Sequence, residues 1–136
     1  PDSGVGAVGE NWQTAAMDQR WMARALALGR CAIGTSLVVA PRTVGALWLG
    51  DSAGPGGIPL LRALGVRDVV LGLGALDALD TEGAAQSWVA AGATADAVDA
   101  AGLILAAPAT PKRAWAVIAL ATGAAVLGGR AAAELA

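Results

Sequence analysis

Residues 114–129 read AWAVIALATGAAVLGG, and no charged side chain falls between Arg113 and Arg130. A soluble helix repeats polar residues along one face to meet water, and this stretch offers no charge across its central turns. It is close to the ~20 predominantly apolar residues that cross a bilayer core of about 30 Å. Its reading decides the fold, because the segments before it have similar length and a related composition. The spacing predicts a helix from Ala114 to about Glu134, with Lys112 and Arg113 leading into it.

Working outward, Pro108 and Pro111 close a preceding helix over roughly Ser87 to Ala107, since proline cannot continue a helical ladder and disfavours a helical residue before it. The acidic turn DTEGAAQS (residues 80–87) separates that helix from one spanning Pro59 or Leu60 to Leu79, with Thr81 or Ser87 suited to cap the later helix. A first apolar segment runs from about Met22 to Ala40, interrupted by Arg24 and Arg30 and ended by Pro41. The stretch TVGALWLGDSAGPGGIP (residues 43–59) reads as a turn-rich connector, with Trp48 suited to an interfacial position. No strand-like alternation of comparable length appears. The expectation is therefore an all-α chain folded as an antiparallel bundle of four transmembrane helices, a single membrane domain over residues 17–136. Residues 1–16 lack periodicity and read as a flexible N-terminal tail outside the fold, with Met17 opening a more typical start. They do not form a secretory signal, because no basic region precedes an apolar stretch.

Composition excludes several functions. The chain has 136 residues, 56% apolar and 15% charged, against about 45–50% and ~25% in an average soluble domain. Disordered chains are charged and poor in apolar residues. Nine basic residues against eleven acidic ones leave no positive field for nucleic acid, so no nucleic-acid partner is expected. With no His and a single Cys, no zinc site is expected, and Cys31 has no partner for a disulfide. No His, Tyr or Phe occurs, so a Ser-His-Asp triad is unavailable. No metal or cofactor is expected, and acid–base chemistry falls to Asp, Glu, Arg, Lys112, Cys31 or water. The Ala bias fits a high-GC genome.

The charges inside the apolar segments carry the functional reading. An ionisable group at membrane depth costs about 2.5–3.5 kcal/mol on insertion scales, so it calls for a partner or a function. Arg30 lies mid-helix in ALALGRCAIGTS, Arg67 and Asp68 in RALGVRDVVLGLG, and Asp96 and Asp99 in GATADAVDAAG. Asp96 and Asp99, three residues apart, share one helix face. Two carboxylates this close in a low dielectric hold a proton between them unless a cation is near. Arg30 and Arg67 are the partners expected from neighbouring helices, with Arg62 a turn or so further out. The prediction is an inward cluster of Arg30, Arg67, Asp68, Asp96 and Asp99. In it Asp96 and Asp99 are the acid–base pair, and Arg30, Arg67 and Asp68 orient and polarise.

Such a set suits a small integral membrane enzyme acting on a lipophilic small molecule, as a cyclase, an isomerase or an epoxide-opening enzyme. Two other readings stay open. One is an accessory or assembly subunit of a membrane complex, in which buried Arg–Asp pairs only lock helix register. The other is a small homo-oligomeric transporter, since four short helices barely enclose a path.

Weaker features point elsewhere or nowhere. GLGALD (residues 72–77) is not a dinucleotide fingerprint, because no strand precedes it and the glycine spacing fails. Cys31 beside Arg30 fits inert packing, and Asp77 and Asp80 near a helix end fit headgroups and water. Trp21, Trp48, Trp88 and Trp115 all lie near predicted helix ends, as an aromatic belt requires. Basic residues number three at one set of ends (Arg20, Arg24, Arg130) and four at the other (Arg42, Arg62, Lys112, Arg113). The positive-inside rule thus leans by one residue toward an outside N-terminus.

The motifs LGRCAIGTSLVVAPRTVGALWLG, RALGVRDVVLGLGAL and WVAAGATADAVDAAG together make the chain similar to a group of small four-helix integral membrane proteins of high-GC bacteria. The similarity covers about Met17 to Gly129. It implies the four-helix membrane fold and a multi-pass place in a bacterial cell membrane, with the lipid bilayer as partner. It supplies no activity, because that group has no assigned chemistry.

Overall fold

A computed structural model describes residues 5–50, 54, 56–81, 83–106, 112 and 114–136, with side chains from Asp18 onward except that of residue 49. The described residues are helical, in five elements, with no strand among them. These are α1 (Val5–Val39), α2 (Pro41–Leu49), α3 (Gly57–Asp80), α4 (Ala85–Ala106) and α5 (Ala114–Glu134). Residues 1–4, 51–53, Pro55, Glu82, residues 107–111 and Arg113 lie outside the described set, and with them the expected stops at Pro108 and Pro111.

Two boundaries differ from the sequence expectation. Helix α1 begins at Val5, so the backbone of residues 5–16 continues the first helix where a tail is expected. The expected connector contains a nine-residue helix, α2. Pro41 does end α1, at Ala40 (φ −126°, ψ 52°), but it then occupies the start of α2. Its fixed φ suits that place and its missing N–H is no loss there. Helix α2 stops at Gly50, whose φ of 63° favours glycine. At the other turn Thr81 caps the C-terminus of α3, its Oγ1 donating to the Asp77 carbonyl at 2.9 Å, while α4 begins before Ser87.

Three helical segments are long and apolar enough to cross a membrane: Asp18–Val39, Ala85–Ala106 and Ala114–Glu134. The fourth expected span, α3, has the length at 24 residues but carries Arg62, Arg67, Asp68, Asp77 and Asp80. The surface has the matching character. The buried apolar residues are mostly alanines, with Leu37, Leu61, Leu79, Val89 and Ile118 the larger exceptions. Large apolar side chains such as Leu105 (84% exposed), Val39 (75%) and Leu60 (69%) point outward instead. That distribution inverts the usual soluble pattern.

Small residues let the helices touch. Gly34 of α1 lies so close to α3 that a Cβ there would sit 2.6 Å from the Gly65 carbonyl oxygen, and a Cβ on Gly65 would meet the Gly34 carbonyl at the same distance. Further along, Cys31 and Ala27 abut Gly72, Arg24 pairs with Asp80, and Arg62 Nε donates to the Val38 carbonyl at 3.3 Å. As α1 numbers rise, α3 numbers fall, so the two run antiparallel. Helices α4 and α5 form a second close pair, with Ala93 against Gly128.

The two pairs meet at the end that holds Asp80. There Ala23, Ala27, Ala75, Ala78, Leu79, Ala85, Val89, Ala131 and Ala132 form one buried cluster drawn from all four long helices. Trp88 packs against it, its ring occupying the space beside Gly74. Toward the opposite end, where Arg62 lies, a cavity of about 450 Å³ separates the pairs. Helix α2 touches α1, α3 and α5 and brings Trp48 to the cavity wall. Trp48 and Trp88 are therefore packing residues, whereas Trp21 and Trp115 are the exposed ones (71% and 55%).

Overpacking a close contact costs about 1–3 kcal/mol. Gly34→Ala and Gly65→Ala are therefore each expected to lower the unfolding temperature in detergent, measured by thermal melting with size-exclusion readout. Gly123 has open space around a built Cβ, so Gly123→Ala is expected to be neutral or stabilising by up to about 1 kcal/mol.

Candidate functional site

Arg30, Arg67, Asp68, Asp96 and Asp99 converge at the vertex where the two helix pairs begin to part. Arg30 projects from α1, Arg67 and Asp68 from α3, and Asp96 and Asp99 from α4. The Arg30 guanidinium is the hub. Its Nη1 donates to Asp68 Oδ1 at 3.0 Å, and its Nη2 donates to Asp96 Oδ2 and to the Gly92 carbonyl at 2.8 Å. Arg67 grips Asp99 with two bonds, Nη1 to Oδ1 at 3.1 Å and Nη2 to Oδ2 at 2.6 Å. It also donates to Asp68 Oδ1 from Nη2 at 3.1 Å and from Nε at 3.3 Å. The five side chains thus form one chain of pairs, Asp96–Arg30–Asp68–Arg67–Asp99.

All five residues named from the sequence are brought together. Arg62 stands apart, exposed and bonded to the end of α1. Asp96 and Asp99, expected as an acid–base pair with Arg30 and Arg67 as partners, each take a different arginine. Both oxygens of Asp99 hold Arg67, whereas Asp68 and Asp96 each keep one oxygen, Oδ2 and Oδ1, without a donor among the described residues.

Burial grades across the network. The side chains of Arg30, Asp68 and Asp96 are 12%, 14% and 16% exposed, against 33% and 32% for Arg67 and Asp99. The Arg30 hub is the inner part, and the bidentate Arg67–Asp99 pair closes the outer seam between α3 and α4. Two guanidiniums face three carboxylates, which leaves one formal negative charge in excess.

The network forms part of the cavity wall. Arg30, Asp68, Asp96 and Asp99 line it, and the remaining lining is apolar, including Ile33, Leu64, Leu103, Val117, Leu120 and Trp48. Its volume of about 450 Å³ falls within the ~300–1,000 Å³ of small-molecule sites, which are mostly apolar with a few convergent polar groups.

Two contributors escape sequence reasoning. Trp48 reads as interfacial because the helix that carries it is not apparent from residue pattern. Gly92 lies one turn before Asp96, so a single turn of α4 offers Arg30 both a carboxylate and a carbonyl. A Cβ on Gly92 would lie 3.2 Å from Arg30 Nη2, and the spacing of Gly92 and Asp96 is the available signal. No protein-family model, curated protein or solved structure matches this chain.

Removing one member of a buried ion network strands its partners, at a cost of about 3–5 kcal/mol. Arg30→Ala is expected to show a loss of this size in detergent unfolding, because it releases Asp68, Asp96 and the Gly92 carbonyl together. Arg67→Ala is expected to cost less, since solvent reaches its partner. Adding Asp96→Ala to Arg30→Ala should recover part of the loss, and equal effects of the two arginine variants would contradict the graded burial.

Proposed function

We propose that this protein is a small integral membrane enzyme, a four-span antiparallel bundle of a bacterial cell membrane. It takes a lipophilic molecule into the cavity and rearranges it by proton transfer at the Asp/Arg network. One observation carries the reading. The cavity is apolar on most of its wall, and its charged lining among the described residues is a set of carboxylates held in place by arginines. The outward-facing large apolar side chains support the membrane setting, where such a substrate dissolves. In that setting α3 spans as well, because Arg67 and Asp68 are neutralised by neighbours and its remaining charges lie toward its ends.

Within this reading Asp96 and Asp68 are the catalytic pair. They sit on the two terminal nitrogens of one guanidinium, each with one oxygen pinned and the other open to donors. A fixed carboxylate within hydrogen-bond reach of a substrate proton is what general base catalysis requires. Asp96 takes a proton from one substrate atom and the same carboxyl returns a proton to another substrate atom, while the ionised Asp68 beside it holds the charge of the site. Atoms and charge then balance without a co-reactant, which fits double-bond isomerisation, in which the proton leaves one carbon and, after the carboxyl exchanges with solvent, a solvent-derived proton arrives at another. Asp99, with both oxygens on Arg67, is a positioning residue.

A second reading has its own support. Each guanidinium already contacts two carboxylates, which is the arrangement of a structural lock in an accessory subunit. Proton transfer separates the two. Purified protein in D2O with extracted membrane lipid is expected to place deuterium at a carbon of one lipophilic species, read by mass spectrometry. Asp96→Asn and Asp68→Asn, confirmed as folded by size exclusion, are expected to slow labelling by about 10²–10⁴-fold. Labelling that is absent from the wild type, or unchanged in both variants, overturns the enzyme reading in favour of the lock.

A further inference from the structure

The charge balance of the cavity wall narrows what can occupy it. Arg30 lies against Asp68 and Asp96, and Arg67 against Asp68 and Asp99. An incoming anion therefore meets one arginine, Arg30, already paired with two carboxylates, in a network with one formal negative charge in excess. The oxygens without donors among the described residues, Asp68 Oδ2 and Asp96 Oδ1, are acceptors that call for a hydrogen-bond donor. Beyond them lies apolar wall, from Leu64 and Leu103 to Trp48, with room for a hydrocarbon body. A cationic donor placed between two carboxylates in a low dielectric gains both charge-assisted hydrogen bonds and neutrality.

We infer that the cavity selects a lipophilic amine, its protonated nitrogen set between Asp68 and Asp96 and its hydrocarbon part lying along Leu64, Leu103, Leu120 and Trp48. The inference rests on the reading of the cavity as a ligand site and adds the chemical class of the ligand. A fatty acid or an anionic headgroup is excluded from the same place by repulsion, and a neutral alcohol finds hydrogen bonds but leaves the charge unbalanced. The selection works by electrostatic mismatch with the wrong molecules as much as by attraction for the right one.

Binding can be measured with three probes of one chain length, dodecylamine, dodecanol and dodecanoate, by tryptophan fluorescence of the full chain in zwitterionic nanodiscs at neutral pH. The variant Leu120→Trp fills the apolar part of the cavity and reports simple partitioning into lipid. The amine is expected to bind the wild type at least about tenfold more tightly than either other probe, since it alone brings charge-assisted hydrogen bonds to the two carboxylates. That preference is expected to shrink by a similar factor in Asp68→Asn, which retains an acceptor for Arg30 but removes the excess charge. Trimethyldodecylammonium, a cation without an N–H, is expected to bind more weakly than the amine.

Equal or tighter binding of dodecanoate overturns the ligand class and leaves the cavity reading standing. An amine preference that Asp68→Asn fails to reduce also overturns it. If no probe distinguishes the wild type from Leu120→Trp, the cavity is not a ligand site and both readings fall. Amine binding with no deuterium transfer to any lipid keeps the ligand class and removes the enzyme.

Discussion

The Arg30 guanidinium is the constraint around which the rest of the molecule is arranged. Its partners come from two other helices, a carboxylate on α3 and a carboxylate and a carbonyl on α4. The α1/α3 pair and the α4/α5 pair are each held by small-residue contacts, and at mid-height this network ties one pair to the other. A lone charge among apolar side chains in a bilayer would be costly by about 2.5–3.5 kcal/mol. Desolvating an ion pair costs several kcal/mol per ion and is offset only when geometry and extra hydrogen bonds are good. The Gly92 carbonyl and the shared Asp68 oxygen provide those extra bonds.

The position of the network follows from the small residues. Ala23, Ala27, Ala75, Ala78, Ala131 and Ala132 let four helices close at one end, and Gly34 with Gly65 lets α1 and α3 stay in contact along their length. On the other side of the network the two pairs part around the cavity, whose wall carries Leu61, Leu64, Leu103 and Leu120 beside Gly29, Gly102 and Ala121. The charged side chains stand where the closed half gives way to the open one.

Much of this is legible from residue types alone. Arg30, Arg67, Asp68, Asp96 and Asp99 are conspicuous because each is charged within an apolar helix, and the demand for compensation brings them together. Proline at 41 marks the end of α1 correctly. It also begins α2, which is hidden because a nine-residue helix is too short for a periodic pattern and the glycines after it read as loop. The partnership of each carboxylate is not legible. The i, i+3 spacing puts Asp96 and Asp99 on one face, but which arginine each meets depends on the stagger of α4 against α1 and α3. Trp48 and Trp88 show the same limit: both lie near helix ends, and only the tertiary arrangement turns one toward a cavity and the other onto Gly74.

The network also shows why structural and chemical roles need not compete here. A guanidinium saturated by carboxylates is a poor anion receptor, which favours a lock. The same saturation fixes one oxygen of Asp68 and one of Asp96 and leaves the other oxygen of each without a donor among the described residues. A carboxylate immobilised in this way needs no reorganisation to accept a proton, which is the preorganisation that electrostatic catalysis relies on. The lock that holds the two helix pairs together is therefore also what would hold a base still. The excess negative charge is the feature that a lock between the two helix pairs does not require, since Arg30 with Asp96 and Arg67 with Asp99 join them at neutrality without Asp68. The third carboxylate, shared by both arginines through one oxygen, makes the vertex receptive to a proton or a cation.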